Sequence, residues 1–337
     1  MIFTIQKYWF LLGLLVLIPS GLLTGYRLSP ETLEASVGRI NSSYLTATVL
    51  FLMAFTLDSR QFMKSLRTPG PVIFAGLLNL GMIPLLAMAI APWQSTPDFQ
   101  VGLMIAASVP CTLAAASVWT RKAGGNDAVS LLVTLATNTL CVFVTPFWLK
   151  LSTSQTVSLD LTSMTLKLML VVLLPTLIGQ LLRLNARLGD FATRRKIPIG
   201  VLAQGLILLL VCAAAIKAGA QLGTSSQAID GWGLILVGLC CVGLHLTAAG
   251  TAWIGGGWLG FELPDRKAIV FAGSQKTLPI GVLLATDAAM FGNAGVPFAI
   301  FPMLIYHASQ LLIDTNLAQR LAALKEEPGV VVQAPVE

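Results

Sequence analysis

The chain has 337 residues, 55% of them hydrophobic and 11% charged, with a mean hydropathy of +0.81 and a formal net charge of +6. Soluble domains carry about 25% charged residues, so a secreted enzyme, a nucleic-acid binder and a disordered scaffold are excluded. At about 20 apolar residues per crossing, the length suits one polytopic membrane protein with short loops.

Ten apolar segments follow one another, near residues 8–26, 41–57, 71–91, 100–120, 128–149, 165–183, 199–217, 231–255, 267–287 and 296–317. The first resembles a signal peptide because Lys7 precedes it, but no small-residue cleavage site follows and it reads as a retained helix. Loop charge sets the orientation. With the N-terminus cytoplasmic, that side holds Lys7, Arg60, Lys64, Arg67, Arg121, Lys122, Arg183, Arg187, Arg194, Arg195, Lys196, Arg266, Lys267, Arg320 and Lys325. The other side holds only Arg27, Arg39, Lys150, Lys167 and Lys217, so both ends are expected in the cytoplasm. The expected location is the inner (plasma) membrane. Residues after Leu324, from 326 to 337, read as a flexible cytoplasmic tail.

The segments divide into two sets of five, 1–160 and 161–325. Mid-span prolines mark the first and sixth segments (Pro19, Pro175), and Gly-Asn precedes the fifth (Gly125-Asn126) and tenth (Gly292-Asn293). An odd number of spans per half makes the halves face opposite ways, which is an inverted repeat. Within it, the fourth segment carries Pro110 near its middle, and the ninth carries Gly273-Ser274-Gln275-Lys276-Thr277 before Pro279. Proline removes a backbone donor and frees a carbonyl, which must be satisfied by protein or a wet cavity. Paired breaks in corresponding spans therefore point to a midplane binding site.

Lys276 is the most informative residue. A charge at membrane depth costs about 2.5–3.5 kcal/mol on insertion scales, so it faces a partner or a cavity. No carboxylate lies centrally in a segment, since Asp58, Asp287 and Asp314 all fall near segment ends. Asn79, Ser130, Thr134, Asn138, His245 and His307 are the other polar residues within spans; Asn126-Asp127 reads as a helix N-cap. The five cysteines (Cys111, Cys141, Cys212, Cys240, Cys241) lie in apolar runs without metal-ligand spacing, so they read as packing residues.

The stretches 109–146, FAGSQKTLPIG (271–281) and FPMLIYHASQLLIDTNLAQR (301–320) together resemble the bile acid/sodium symporter family, in its SBF-like symporter branch, and the resemblance covers nearly the whole chain. It implies an all-α membrane protein of ten transmembrane helices in two five-helix inverted repeats. A core domain with crossed discontinuous helices, the fourth and ninth, would move against a panel domain. It further implies a sodium site at Ser117, Ser130 and Thr134, a second at Asn79 and Gln275, and substrate contacts at Lys276, His307, Gln275 and Asn138. Three departures stand out. Phe271 occupies the place of the symporters' sodium-binding glutamate, Ala114-Ala115-Ala116-Ser117 replaces their Thr-Ala-Ser-Asn, and Lys276 replaces an asparagine.

The expected function is secondary transport of a small organic anion or amphipathic solute by alternating access. Two accounts of the departures stay open. Lys276 stands in for a sodium ion as a tethered cation, or one sodium site survives and Lys276 pairs with the substrate. No cofactor is expected beyond a sodium ion, and the partners are the solute and the lipid bilayer, with no obligate protein partner and no nucleic acid. A channel-like or regulatory membrane protein is the rival. An intramembrane enzyme ranks last, because G-x-S-x-G and H-E-x-x-H are both absent.

Overall fold

The computed structural model describes residues 2–58, 69–153, 160–224, 231–287, 296 and 298–324. Arg60, Lys64, Arg67, the Gly292-Asn293 pair, Lys325 and the expected tail at 326–337 lie outside the described residues. All regular structure among the described residues is helical. The helices follow the apolar segments in order: α1 (Ile2–Arg27), α2 (Ser42–Thr56), α3 (Gly70–Trp93), α4 (Pro97–Ser108), α5 (Ala115–Lys122), α6 (Asp127–Thr153), α7 (Leu161–Leu184), α8 (Ala186–Arg194), α9 (Lys196–Thr224), α10 (Gly231–Trp258), α11 (Leu263–Ser274), α12 (Leu278–Ala285) and α13 (Ile300–Ala322).

Local sequence explains the starts. Asn41 caps α2 by accepting from Ser43 N at 2.9 Å, and Thr96, with Pro97 behind it, caps α4 through Phe99 N. Asp160 does the same for α7 and Asn185 for α8. Among the described residues, seven segments are long and apolar enough to cross a membrane: α1, α3, α6, α7, α9, α10 and the α11–α12 pair. Of the other three expected spans, α2 has 15 residues, α4–α5 is interrupted, and α13 carries buried polar groups along its length.

Two groups of helices emerge from the packing. In the first, α1 lies along α9, and both α7 and α9 pack on α2. Glycine makes the α1–α9 crossing possible: a Cβ on Gly25 would overlap the Ile216 carbonyl, and one on Gly219 the Leu22 carbonyl. Small residues of this kind let helices approach closely in lipid, where burial of apolar surface gives no drive to associate. Gln180 and Arg183 of α7 donate to the Ala54 and Phe55 carbonyls that end α2, at 2.6 and 3.1 Å. The second group comprises α3 to α6, α10, α11 and α13, with α11 packed on α3, α5, α6 and α10.

Both expected breaks are present. Residues 109–114 separate α4 from α5, and 275–277 separate α11 from α12. The expected likeness of Pro19 and Pro175 does not extend to local geometry. Pro19 sits in continuous helix, whereas a wide turn at Met169–Leu173 precedes Pro175. A second wide turn, Leu78–Met82, precedes Pro84 in α3, within a span expected to be regular. A π-type turn admits a proline by shifting the register of the backbone bonds around it.

Candidate functional site

The two unwound stretches meet. Thr277 N donates to Pro110 O at 2.9 Å, joining one break to the other. Four carbonyls at the first break take a side-chain donor: Thr145 on Ser108 O (2.7 Å), Lys276 Nζ on Val109 O (2.9 Å), Asn138 Nδ2 on Cys111 O (2.9 Å) and Thr134 on Thr112 O (3.3 Å). At the second break, Asn79 Nδ2 donates to Gln275 O at 2.9 Å and lies 3.3 and 3.4 Å from Ala272 O and Gly273 O. Tyr306 Oη donates to Ser274 O, and Gln310 Nε2 to Lys276 O, at 3.0 and 2.9 Å. Non-helical backbone at membrane depth is tolerated on this condition.

Lys276 is fully buried, 0% exposed, and reaches from the second break to the first. Its ammonium donates to Asn79 O (2.6 Å) and Val109 O (2.9 Å), with Asn79 Oδ1 at 3.3 Å. The partners are carbonyl and amide oxygens, the donor set of a hard monovalent cation, and no ion pair to Lys276 occurs among the described residues. Pro84 makes the Asn79 carbonyl available. In the wide turn Ile83 N–H goes to Leu78 O, and the next donor in that register would be the N–H that Pro84 lacks.

A cavity of about 240 Å³ lies between the two helix groups. Trp9 and Phe10 of α1, Met53 of α2 and Gln204 of α9 form one wall; Thr112, Trp119, Thr277 and His307 stand on the other. Exposed Lys122 is at the rim, its ammonium 4.1 Å from the Trp119 ring centre. The first residues of both half-helices, Ala115 of α5 and Leu278 of α12, line this cavity, as do the residues just before them, Ala114 and Thr277. Ala116 N in the first turn of α5 donates to Thr112 Oγ1 at 3.0 Å, while Thr277 gives α12 no side-chain cap. Two positive helix ends therefore open on one apolar-walled space.

Of the expected substrate contacts, only His307 lines this cavity; Lys276, Gln275 and Asn138 are buried behind its wall. Ser130 and Thr134 of the expected first sodium set lie one turn apart on α6, and Ser117 is on α5. Ser117 hydrogen-bonds Asp127 and accepts from Arg121, while Thr134 bonds the first break, and Ser130 Oγ is buried with no hydrogen-bond partner among the described residues, as is Asn138 Oδ1. The second set, Asn79 and Gln275, is brought together, but the Lys276 ammonium bonds Asn79 and both ends of the Gln275 amide are engaged. Asn126 caps α6 as expected and also bonds Asp265 at 2.7 Å.

One expectation is corrected. Asp314 does not lie at a helix margin in any functional sense; it is 0% exposed, accepts from Gln275 Nε2 at 2.6 Å and lies 3.1 Å from His245 Nε2. Sequence reasoning passed over it by counting from the segment's end. The spacing His307, Gln310, Asp314 carries the available signal, a polar stripe at three- and four-residue intervals on one helix face. Thr112 and Gln310 were also missed; Thr112 Oγ1 donates to Gln275 Oε1 at 2.8 Å.

The profile of the SBF-like CPA transporter family matches residues 8–323. Protein PA2026 of Pseudomonas aeruginosa is 31% identical over 271 residues, 75% of this chain and 76% of that protein. The sodium/bile acid cotransporter 7 of Rattus norvegicus is 24% identical over 346 residues, 98% of each chain, and that of Mus musculus is 25% identical over 345 residues, 98% of this chain and 97% of its own.

Proposed function

The chain belongs to the SBF-like CPA transporter family, a multi-pass membrane transporter and not an enzyme, and from that membership we propose that it carries a small organic anion with an apolar body by alternating access. The observation that carries this reading is the pair of half-helix N-termini opening on one cavity walled by Trp9, Phe10 and Trp119. Their N–H groups and dipoles favour a negative group, while the aromatic wall favours an apolar body. His307 stands at the same cavity, its Nδ1 2.8 Å from Gln310 Nε2 and 3.3 Å from Lys276 O, so it adds a polar group to the lining. In this reading α1, α2, α7 and α9 act as a panel, the second group as a moving core, and residues 1–160 and 161–325 as the two inverted halves of ten spans in the inner membrane. The relatives named as sodium/bile acid cotransporters make a bile salt the first probe.

Coupling to sodium is where this chain departs. The Lys276 ammonium serves as a tethered cation at the second expected sodium position, held by three oxygens at the crossing of the breaks. A second reading has one observation in its favour: Ser130 Oγ and Asn138 Oδ1 are buried without hydrogen-bond partners among the described residues. On that reading a sodium ion binds near Ser130 and Thr134.

Thermal unfolding of the purified protein separates these. A ligand that binds only the folded state stabilises it by about 2.7 kcal/mol at a hundredfold excess over Kd. A bile salt raises the Tm and an uncharged bile alcohol of the same shape does not; equal shifts would sink the anion reading. Exchanging KCl for NaCl leaves the wild type unchanged but stabilises Lys276→Ala, whose vacated oxygens then receive the ion. Sodium stabilisation of the wild type would favour the Ser130 site instead.

A further inference from the structure

His245 and Asp314 come from different helices, α10 and α13, and both are 0% exposed. Each nitrogen of the His245 ring faces an oxygen: Nε2 is 3.1 Å from Asp314 Oδ1, and Nδ1 is 3.4 Å from Ser274 O. A backbone carbonyl only accepts, and so does a carboxylate. A neutral imidazole donates from one nitrogen alone and would turn a lone pair on the other oxygen. The doubly protonated ring satisfies both, with its charge opposed by Asp314.

The second carboxylate oxygen ties the pair to the transport site. Asp314 Oδ2 accepts from Gln275 Nε2 at 2.6 Å, which turns Gln275 Oε1 toward Thr112, its donor at 2.8 Å. Thr112 lines the cavity, and Gln275 and Ser274 lie at the second break. The pair thus bonds the second break directly and reaches the first through Gln275 and Thr112.

We propose that His245 and Asp314 form a proton-binding site at the crossing of the broken helices, and that the proton held there is the coupling ion of the transporter. This rests on the transporter reading above. In the loaded state the pair is imidazolium and carboxylate, net neutral. On unloading, one N–H bond of the imidazole breaks, the electron pair stays on nitrogen and the proton passes to water. What remains is a buried net negative charge next to the chain Gln275–Thr112 that borders the cavity. Such a charge opposes an anion in the cavity, so proton and anion favour each other's binding by the same factor, the linkage needed for symport. The other titratable groups around the pair are Tyr306 of α13, whose ring meets His245 edge-on at 6.0 Å and whose hydroxyl bonds the same Ser274 carbonyl, and Cys241 one turn away on α10. Lys276 adjoins it in the break but directs its ammonium to Asn79 and Val109; His307 is on the cavity side of α13.

The chain contains two histidines, so His307→Gln leaves His245 as the sole imidazole without touching the pair. Nitrogen-15 NMR of histidine-labelled, untagged full-length His307→Gln in micelles reads the protonation of each ring nitrogen from about pH 5 to 9. The expected result is a ring protonated at both nitrogens at the acid end that loses one proton as pH rises. That doubly protonated signal is lost throughout in His307→Gln/Asp314→Asn. A neutral His245 at every pH, or the same titration without Asp314, overturns the proposal. Should the double variant fail to fold, the single variant still decides, because a neutral ring throughout is fatal. The readout needs no substrate, so a failed proton site and a failed transporter reading are distinguished: the bile-salt Tm shift reports the second independently.

Discussion

Pro84 removes a backbone donor from the middle of α3, and the two carbonyls it leaves, Asn79 O and Leu80 O, are each taken by another helix. Lys276 Nζ takes the first at 2.6 Å and Trp148 Nε1 the second at 2.7 Å. An interior proline normally costs a helix about 3 kcal/mol against alanine. Here the gain from Pro84→Ala is offset, because a restored N–H competes with Lys276 and Trp148 for their acceptors. The expected outcome is no rise in Tm. A rise of many degrees would show that the carbonyls do not matter to the fold. Lys276→Ala leaves the Asn79 and Val109 carbonyls buried without their donor, at about 1–3 kcal/mol for each unsatisfied group in the absence of a replacing cation. Lys276 was legible in the sequence as a charge too deep in a span to be casual. Its partners were not, because they are backbone oxygens, and a backbone oxygen looks the same at every position of a sequence.

Breaks were more legible than contacts at the scale of the element. Pro110 and the cluster 273–277 are sequence features, and the unwound stretches fall at 109–114 and 275–277. The wide turn at Leu78–Met82 was not foreseen, since Pro84 in an apolar run reads equally well as a simple kink. Glycine at the α1–α9 crossing was likewise silent, because glycine is frequent in membrane helices. There the close approach is the whole reason for the residue: Gly25 meets the Ile216 carbonyl and Gly219 the Leu22 carbonyl. Gly219→Leu is expected to force the helices apart and lower the Tm by several degrees, whereas Gly205→Leu on the same helix, where a Cβ would meet nothing within 4 Å, leaves it nearly unchanged. Equal effects at the two sites would refute close packing as the cause.

For the whole molecule, charge placement is the guide. Arg121, Asp127, Arg183 and Asp58 all lie within electrostatic reach of Lys196, and Arg183 Nη2 is 3.7 Å from Asp58 Oδ2. The ends of α5, α7 and α9 that carry this charge are thus gathered together, and the positive-inside rule assigns them to the cytoplasm. At the end of α12 a different pair closes the structure, Lys167 with Asp287. A green fluorescent protein joined after Leu324 should fluoresce in bacterial cells, and alkaline phosphatase joined at the same point should be inactive; the reverse pattern would invert the orientation.

Composition and periodicity by themselves determined that the chain spans a membrane, where most helices run and where two of them break, because bilayer thickness fixes span length and proline has no N–H to give. The resemblance to the symporter family was also in the sequence, and with it the expectation that Phe271 stands where those symporters have a sodium-binding glutamate. Only the tertiary structure decided what stands around the breaks. It put Lys276 behind the cavity wall instead of in it, and left His307 as the sole expected substrate contact on the lining. It also brought Asp314 of α13 against His245 of α10, 69 positions apart in sequence. The physical reason is the same in each case. Which helix satisfies a freed carbonyl or a buried charge depends on the neighbour that folding supplies, and a helix pattern encodes which face is polar but not what that face will meet.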